Sequence, residues 1–119
     1  MHINISSSNL ELTPAVKEYA EQKLQTLEKF LKKVDDAAIA FDVKLSRTTF
    51  HHQKGDVFRA EANIALPGKA VYQFAENWDI RVAIDQLKDL LQRDVKKYNA
   101  QRNSLFLRGA RKLKGLMRK

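Results

Sequence analysis

The sequence predicts an α+β domain in which four strands form one sheet and two helices cover one of its faces, in the order β-α-β-β-β-α. Four short segments alternate apolar and polar side chains with the period of two that a half-buried strand requires. Two longer segments repeat apolar side chains at the spacing of one helix face. The 119 residues match the length of a single domain, and the sequence has no internal repeat.

The first strand is predicted at residues 2–6, where Ile3 and Ile5 share one side. A helix follows at Thr13 and Pro14, because threonine caps a helix N-terminus and proline loses nothing at its first position. Its apolar stripe predicts that this helix continues to about residue 33. The stripe consists of Val16, Tyr19, Ala20, Leu24, Leu27, Phe30 and Leu31.

Three further strands are predicted at residues 39–45, 58–64 and 70–74, each from a strict alternation of side chains. The polar segment 46–56 is predicted to be a loop, and Pro67-Gly68 a tight hairpin turn. The last three strands therefore form a meander. If the first two strands are parallel, the helix between them makes a right-handed crossover.

A second long helix is predicted after Asn77 or Asp79, either of which can cap it. Its apolar stripe consists of Ile80, Ala83, Ile84, Leu87, Leu90, Leu91, Val95 and Tyr98. Because each helix has a single apolar face, we expect both to cover the same face of the sheet.

The net charge of +8 is unevenly distributed along the chain. Residues 1–99 carry 15 basic and 14 acidic side chains, whereas residues 100–119 carry seven basic side chains and no acidic one. We therefore divide the chain into a domain at 1–99 and a basic C-terminal tail at 100–119. Such asymmetry indicates a polyanionic partner, either nucleic acid or an anionic membrane, or else a solubilising extension.

The tail is amphipathic if it is helical, and that pattern suits a membrane surface, RNA or a protein partner. Gly109 and Gly115 each cost a helix about 1 kcal/mol, so the sequence disfavours a helix in the isolated tail.

Basic side chains within the domain could contact successive phosphates along a groove between the two helices. Lys23 interrupts the first apolar stripe. The alternative to a phosphate contact is that its aliphatic stem packs on the stripe while its ammonium group reaches water. Lys29, Lys32 and Lys33 follow near the end of that helix. The second helix contributes Arg81, Lys88 and Arg93, and Lys96, Lys97 and Arg102 continue the track into the tail. Aspartates are interspersed among them, so an ordinary solvated helix face is the alternative.

The sequence gives little support to an enzyme, a cofactor or a metal site. The chain has no cysteine, which excludes disulfides, thiolate catalysis and cysteine-based zinc sites. His51-His52 is an adjacent pair without a third ligand at recognisable spacing, and no phosphate-binding or nucleophile motif is present. The longest apolar run, residues 37–41, is too short to cross a bilayer, and residues 1–5 lack the features of a signal peptide. We therefore expect a cytoplasmic location.

Three segments carry a resemblance to a known family. Residues 9–19 (NLELTPAVKEY), 23–30 (KLQTLEKF) and 79–87 (DIRVAIDQL) resemble signatures of the ribosome hibernation factors, the group that includes the ribosome-associated translation inhibitor and the hibernation-promoting factor. Asp89, Leu91, Arg93 and Lys97 continue the last signature in register, and the resemblance covers residues 1–98.

The resemblance implies the fold described above and a non-enzymatic function. It implies binding to the 30S subunit or 70S ribosome in the decoding region, where the protein blocks the tRNA and mRNA sites during stress. Lys23, Lys29, Arg93 and Lys97 stand at basic positions of the family, which implies contacts to ribosomal RNA. No cofactor and no membrane partner are implied.

The sequence departs from the family pattern at three positions. Arg81 stands where tyrosine is usual, while Leu90 and Asn99 replace common lysines. Long members of the family add a C-terminal dimerising domain, which this sequence lacks. It therefore resembles the short form, and we expect a monomer away from the ribosome. Two alternatives are a generic double-stranded-RNA-binding module and a domain anchored to a membrane or protein partner by its tail.

Overall fold

A computed structural model describes the backbone of residues 1–48 and 55–117, and the side chains within that range up to residue 103. It confirms the order β-α-β-β-β-α. The elements are β1 (Ile3–Ser8), α1 (Pro14–Gln25), β2 (Ala40–Thr48), β3 (Val57–Leu66), β4 (Lys69–Asn77) and α2 (Ile80–Met117).

The four strands form one sheet in the order β1-β2-β3-β4. β1 and β2 are parallel, so α1 is the crossover between them, and the remaining pairs are antiparallel, as the predicted meander requires. One register row runs from Ile3 through Phe41 and Ile64 to Val71, and all four of these side chains are buried. This row marks the face that the helices cover.

The inner face of β4 carries Val71 and Ala75, whereas Tyr72 and Phe74 lie on the outer, solvent-facing side. The alternation in β4 is as predicted, but its larger apolar side chains point away from the core. Small residues fit the inner face because α2 packs closely against β4.

The β3–β4 connection is the predicted two-residue turn, with Leu66 opposite Lys69. Pro67 fixes the first turn position, and Gly68 has a φ of +80°, which a side chain with a Cβ adopts only at a cost.

The first helix is shorter than predicted. Thr13 caps it as expected, since its hydroxyl accepts a hydrogen bond from the Val16 N–H at 3.2 Å. The α-helical geometry ends at Gln25, and Thr26–Phe30 form a 3₁₀ helix. The apolar residues of this segment, Leu27 and Phe30, are three apart, the period of a 3₁₀ helix. The Thr26 hydroxyl donates back to the Lys23 carbonyl at 2.7 Å.

The second helix is longer than predicted. Asp79 caps it by accepting a hydrogen bond from the Arg81 N–H at 2.9 Å, and Asn77 in turn accepts from the Asp79 N–H. The helix then continues without a break at residue 100 as far as Met117, through both glycines. The packed first half of α2 acts as the nucleus for helix formation, so each later residue only extends an existing helix. An isolated tail would have no such nucleus.

One hydrophobic core lies between the sheet and the two helices. α2 packs on β3 and β4, and α1 lies beside α2. The core residues of α2 are Ala83, Ile84, Leu87, Leu91, Val95 and Tyr98, all of which belong to the predicted stripe. Among the described helices, none has an apolar stretch long enough to span a bilayer.

Candidate nucleic-acid interface

The seam between α1 and α2 is closed by a polar contact around Asp85. The Tyr19 hydroxyl donates to Asp85 Oδ1 at 2.6 Å, and Lys23 Nζ lies 3.5 Å from the same oxygen. Arg81 Cζ lies 5.6 Å from the centroid of the Tyr19 ring, within range of a cation–π contact. Lys23 is thus held across the helix seam and is only partly free to meet an external anion.

Asp85 also affects the ionisation of Tyr19. The hydrogen bond to this carboxylate raises the pKa of the Tyr19 hydroxyl, with burial as a second cause, because both favour the neutral phenol. Tyr19 is therefore a hydrogen-bond donor over the whole physiological pH range.

Phe30 is the centre of a second basic group. Lys29 Nζ and Lys96 Nζ lie 5.1 Å and 5.2 Å from the centroid of its ring, so the ring is flanked by two ammonium groups. The Asn99 side-chain amide donates to the Phe30 carbonyl, which ties the end of the 3₁₀ helix to α2. This contact gives Asn99, a departure from the family pattern, a structural role.

A hollow opens beside this ring, between the end of the 3₁₀ helix and the second half of α2; we call it the Phe30 hollow. It is lined by Lys29, Phe30, Lys32, Lys33, Asn99, Arg102 and Asn103. Arg102 Cζ lies 5.5 Å from the Tyr98 ring centroid, which holds the guanidinium at the edge of the hollow.

The cations around the Phe30 ring and its hollow are not directly paired with carboxylates of the described residues, although Glu28 lies within electrostatic range of Lys32. In the part of the chain described with side chains, Lys29, Lys32, Lys33, Lys96 and Arg102 form no ion pair with a carboxylate. Cations gathered without paired carboxylates suit successive phosphates of a polyanion, whose binding releases condensed counterions.

The remaining predicted residues lie elsewhere on α2. Lys88 is only 20% exposed and pairs with Asp89 Oδ1 at 3.7 Å. Arg93 lies on the β4 side of the helix, next to Ala75, and Lys97 is exposed one turn further along. The structure thus brings Lys29, Lys96 and Arg102 together, places Lys23 and Arg81 at the helix seam, and separates Arg93 and Lys97 from both groups.

Sequence reasoning missed two parts of this surface. It noted Lys32 and Lys33 near the end of the first helix but did not include them among the expected RNA contacts. Their spacing of three and four residues from Lys29 could have indicated that all three share one side. It also treated Phe30 as a core residue only. The pair His51-His52 lies outside the described residues.

Taken together, the fold and the basic helix side define a small α+β domain with a cluster of cations on its helices. A family model described as Sigma 54 modulation protein / S30EA ribosomal protein matches residues 3–103. The chain belongs to this family.

Relatives and solved structures agree with that assignment. The chain is 31% identical over 110 residues to the ribosome hibernation promoting factor of Pseudomonas putida, covering 92% of this chain and 97% of that protein. It is 29% identical to the ribosome hibernation promotion factor of Bacillus subtilis, over 89% of this chain but only 52% of that protein. Among solved structures, the N-terminal domain of Thermus thermophilus Protein Y superposes with a TM-score of 0.62 at 30% identity, over 82% of this chain and 99% of that domain.

Proposed function

We propose that this protein binds the ribosome and keeps it in a hibernating, non-translating state. The observation that carries the proposal is the cluster of cations, without ion pairs to any described carboxylate, around the Phe30 ring and its hollow, on a chain of this family. Relatives named ribosome hibernation promoting factors support the same function. The site of action is then the cytoplasm, where ribosomes translate.

The finer proposal is that the protein occupies the decoding region of the small subunit and excludes tRNA and mRNA. It acts by occlusion and needs no cofactor, because bound basic side chains suffice to hold the RNA backbone. The proposed contacts to ribosomal RNA are made by Lys23, Lys29, Arg81, Lys88, Arg93, Lys96, Lys97 and Arg102. Of these, the residues around Phe30 carry the largest share, since Lys23 and Lys88 are already paired with carboxylates.

The test is co-sedimentation with vacant 70S ribosomes in a sucrose gradient, together with inhibition of translation in vitro. We expect Lys29→Glu/Lys96→Glu to abolish both, because two ammonium groups beside the RNA become carboxylates. The matched control is Lys17→Glu/Lys44→Glu, which makes the same charge change at two exposed positions outside the Phe30 hollow, one in the first turn of α1 and one on the outer face of β2. It should bind like the unchanged protein.

The outcomes separate the alternatives. If the unchanged protein stays at the top of the gradient at low salt, ribosome binding is wrong. If plain duplex RNA competes with an affinity similar to that of ribosomes, the protein is a generic double-stranded-RNA-binding module. If both charge-reversed pairs lose binding equally, the partner responds to net charge and not to the Phe30 hollow.

A further inference from the structure

β4 is an edge strand that remains open. It pairs with β3 on one side, and no described element pairs with its other side. An edge strand of nine residues presents unpaired backbone N–H and C=O groups, which form a template for another extended segment. Native proteins usually block such an edge, so an open one is a candidate binding site. The side chains around β4 then indicate which kind of segment could pair with it.

On the outer side of the sheet, this edge carries two exposed aromatic rings. Tyr72 is 52% and Phe74 45% exposed, although large apolar side chains are usually buried. The Arg59 guanidinium lies 3.9 Å from the centroid of the Phe74 ring and donates to Glu76 at 2.9 Å. The Tyr72 hydroxyl donates to Glu61 at 2.6 Å. These contacts hold the rings and carboxylates in fixed positions, as a preorganised binding surface requires.

On the inner side, a shallow hollow lies between the same strand and α2. It is lined by Ala75, Gln86, Asp89, Leu90 and Arg93. Leu90, which stands where the family commonly carries lysine, gives this hollow an apolar wall that is only partly buried. Side chains that alternate to the two sides of an added strand would meet the rings on one side and this hollow on the other.

We propose that β4 binds an extended, basic segment of a partner protein as a fifth strand of the sheet. Backbone hydrogen bonds along the edge would supply affinity, and side chains facing alternate sides would supply specificity. The segment carries arginine or lysine toward Tyr72, Phe74 and Glu76, and apolar side chains toward the Leu90 hollow. Arg59 occupies this combination of ring and carboxylate from the β3 side, and Glu76, which is 37% exposed, remains accessible to a second cation from the open edge.

The charge of the sheet's outer face favours a basic protein over RNA. This face presents the carboxylates of Asp42, Glu61 and Glu76 against the cations Lys44 and Arg59. A slightly acidic surface repels phosphates and attracts basic side chains. The inference goes beyond ribosome binding and does not depend on it, since the Phe30 hollow lies on the opposite, helical side of the sheet.

The experiment is titration of the ¹⁵N-labelled full chain with capped ten-residue peptides, followed by NMR. The probe alternates valine and arginine, and the control peptide alternates valine and glutamate. We expect the basic peptide to shift the amide signals of β4 and the acidic peptide to leave them unchanged. Tyr72→Thr/Phe74→Thr keeps the strand-forming tendency while removing both rings, and should weaken binding about tenfold. Ser6→Thr/Ser8→Thr, on β1 at the opposite edge, is the matched control and should bind normally.

Four results would overturn the proposal. The acidic peptide could bind as well as the basic one, or the peptide-induced shifts could be confined to the helices. A single-stranded oligouridylate could bind β4 more strongly than the basic peptide, or analytical ultracentrifugation could show a dimer that Tyr72→Thr/Phe74→Thr abolishes. The last result would identify the occupant as a second copy of this chain. Ribosome sedimentation of the ring variant distinguishes the two surfaces, because it should remain normal whether or not the peptide binds.

Discussion

At the scale of single residues, Tyr19 joins the two helices through its hydrogen bond to Asp85. Removing only the hydroxyl, in Tyr19→Phe, should lower the free energy of unfolding by about 1 kcal/mol at pH 7, because Asp85 then loses a donor in a partly buried seam. Urea unfolding followed by circular dichroism measures this. Val82→Ala, at an exposed position on α2, the helix that carries Asp85, is a control that should change stability much less.

The same contact predicts a pH dependence. Because the pKa of Tyr19 is raised in the folded state, its stabilising contribution is complete below the ordinary value of 10.0 and is lost as pH rises through the folded-state pKa. We therefore expect the stability difference between the unchanged protein and Tyr19→Phe to disappear at strongly alkaline pH. A difference that persists there would contradict hydrogen bonding by the neutral phenol.

Gln92 is a further test at this scale. Its side-chain oxygen is buried and has no hydrogen-bond partner among the described residues. A buried acceptor without a partner destabilises the fold, so Gln92→Met, which keeps the length and the helical tendency, should raise the free energy of unfolding by about 1 kcal/mol. Gln101→Met, at an exposed position of α2, should change it little. A loss of stability in Gln92→Met would show that the oxygen has a partner in solution.

At the scale of elements, the β3–β4 turn depends on the backbone conformation of Gly68. A Cβ added there meets no atom within 4 Å, so a substitution costs only the strain of its positive φ. Gly68→Ala should lower the free energy of unfolding by about 1 kcal/mol, and Gly68→Asn by less, because asparagine tolerates this conformation better. Thermal unfolding of both variants tests the order. Equal losses would mean that the turn adopts another conformation in solution.

Periodicity predicted all four strands and both α-helices of the described chain because burial on one face leaves a direct trace in the sequence. It did not predict which side of β4 is buried. Val71 and Ala75 are smaller than Tyr72 and Phe74, and hydrophobicity alone favours the larger pair. The decision depends on how closely α2 approaches, which is a property of the packed structure. The end of α1 at Gln25 also escaped prediction, since the same apolar residues suit an α-helix and a 3₁₀ helix.

At the scale of the whole molecule, the candidate site could be predicted in its components but not in its arrangement. Lys29, Lys96 and Arg102 were each expected to bind RNA, but the sequence does not show that they lie together. Only folding brings the end of the 3₁₀ helix against α2, as in the contact between Phe30 and Asn99, which are 69 positions apart in the sequence. For Lys23, the RNA contact that the resemblance implied stays a prediction. The fold adds what the sequence did not show, an ion pair of its ammonium with Asp85 across the helix seam.

The last prediction concerns the basic extension of α2, which we propose as a separate unit at residues 100–119 that binds further phosphates. In the described part of the chain, the core residues of α2 end at Tyr98, so a chain truncated after Asn103 should keep its melting temperature. Its ribosome binding should depend less steeply on salt, with the log–log slope reduced by about 0.7 to 0.9 for each phosphate that the truncated chain no longer neutralises. Exchanging all six basic residues after Asn103 for glutamine in the full chain should reproduce that slope, since glutamine retains helical tendency without the charge. These residues are Arg108, Arg111, Lys112, Lys114, Arg118 and Lys119. Identical slopes for the full and truncated chains would contradict a role in RNA binding, and flotation of the 100–119 peptide with anionic vesicles would assign the extension to a membrane surface instead.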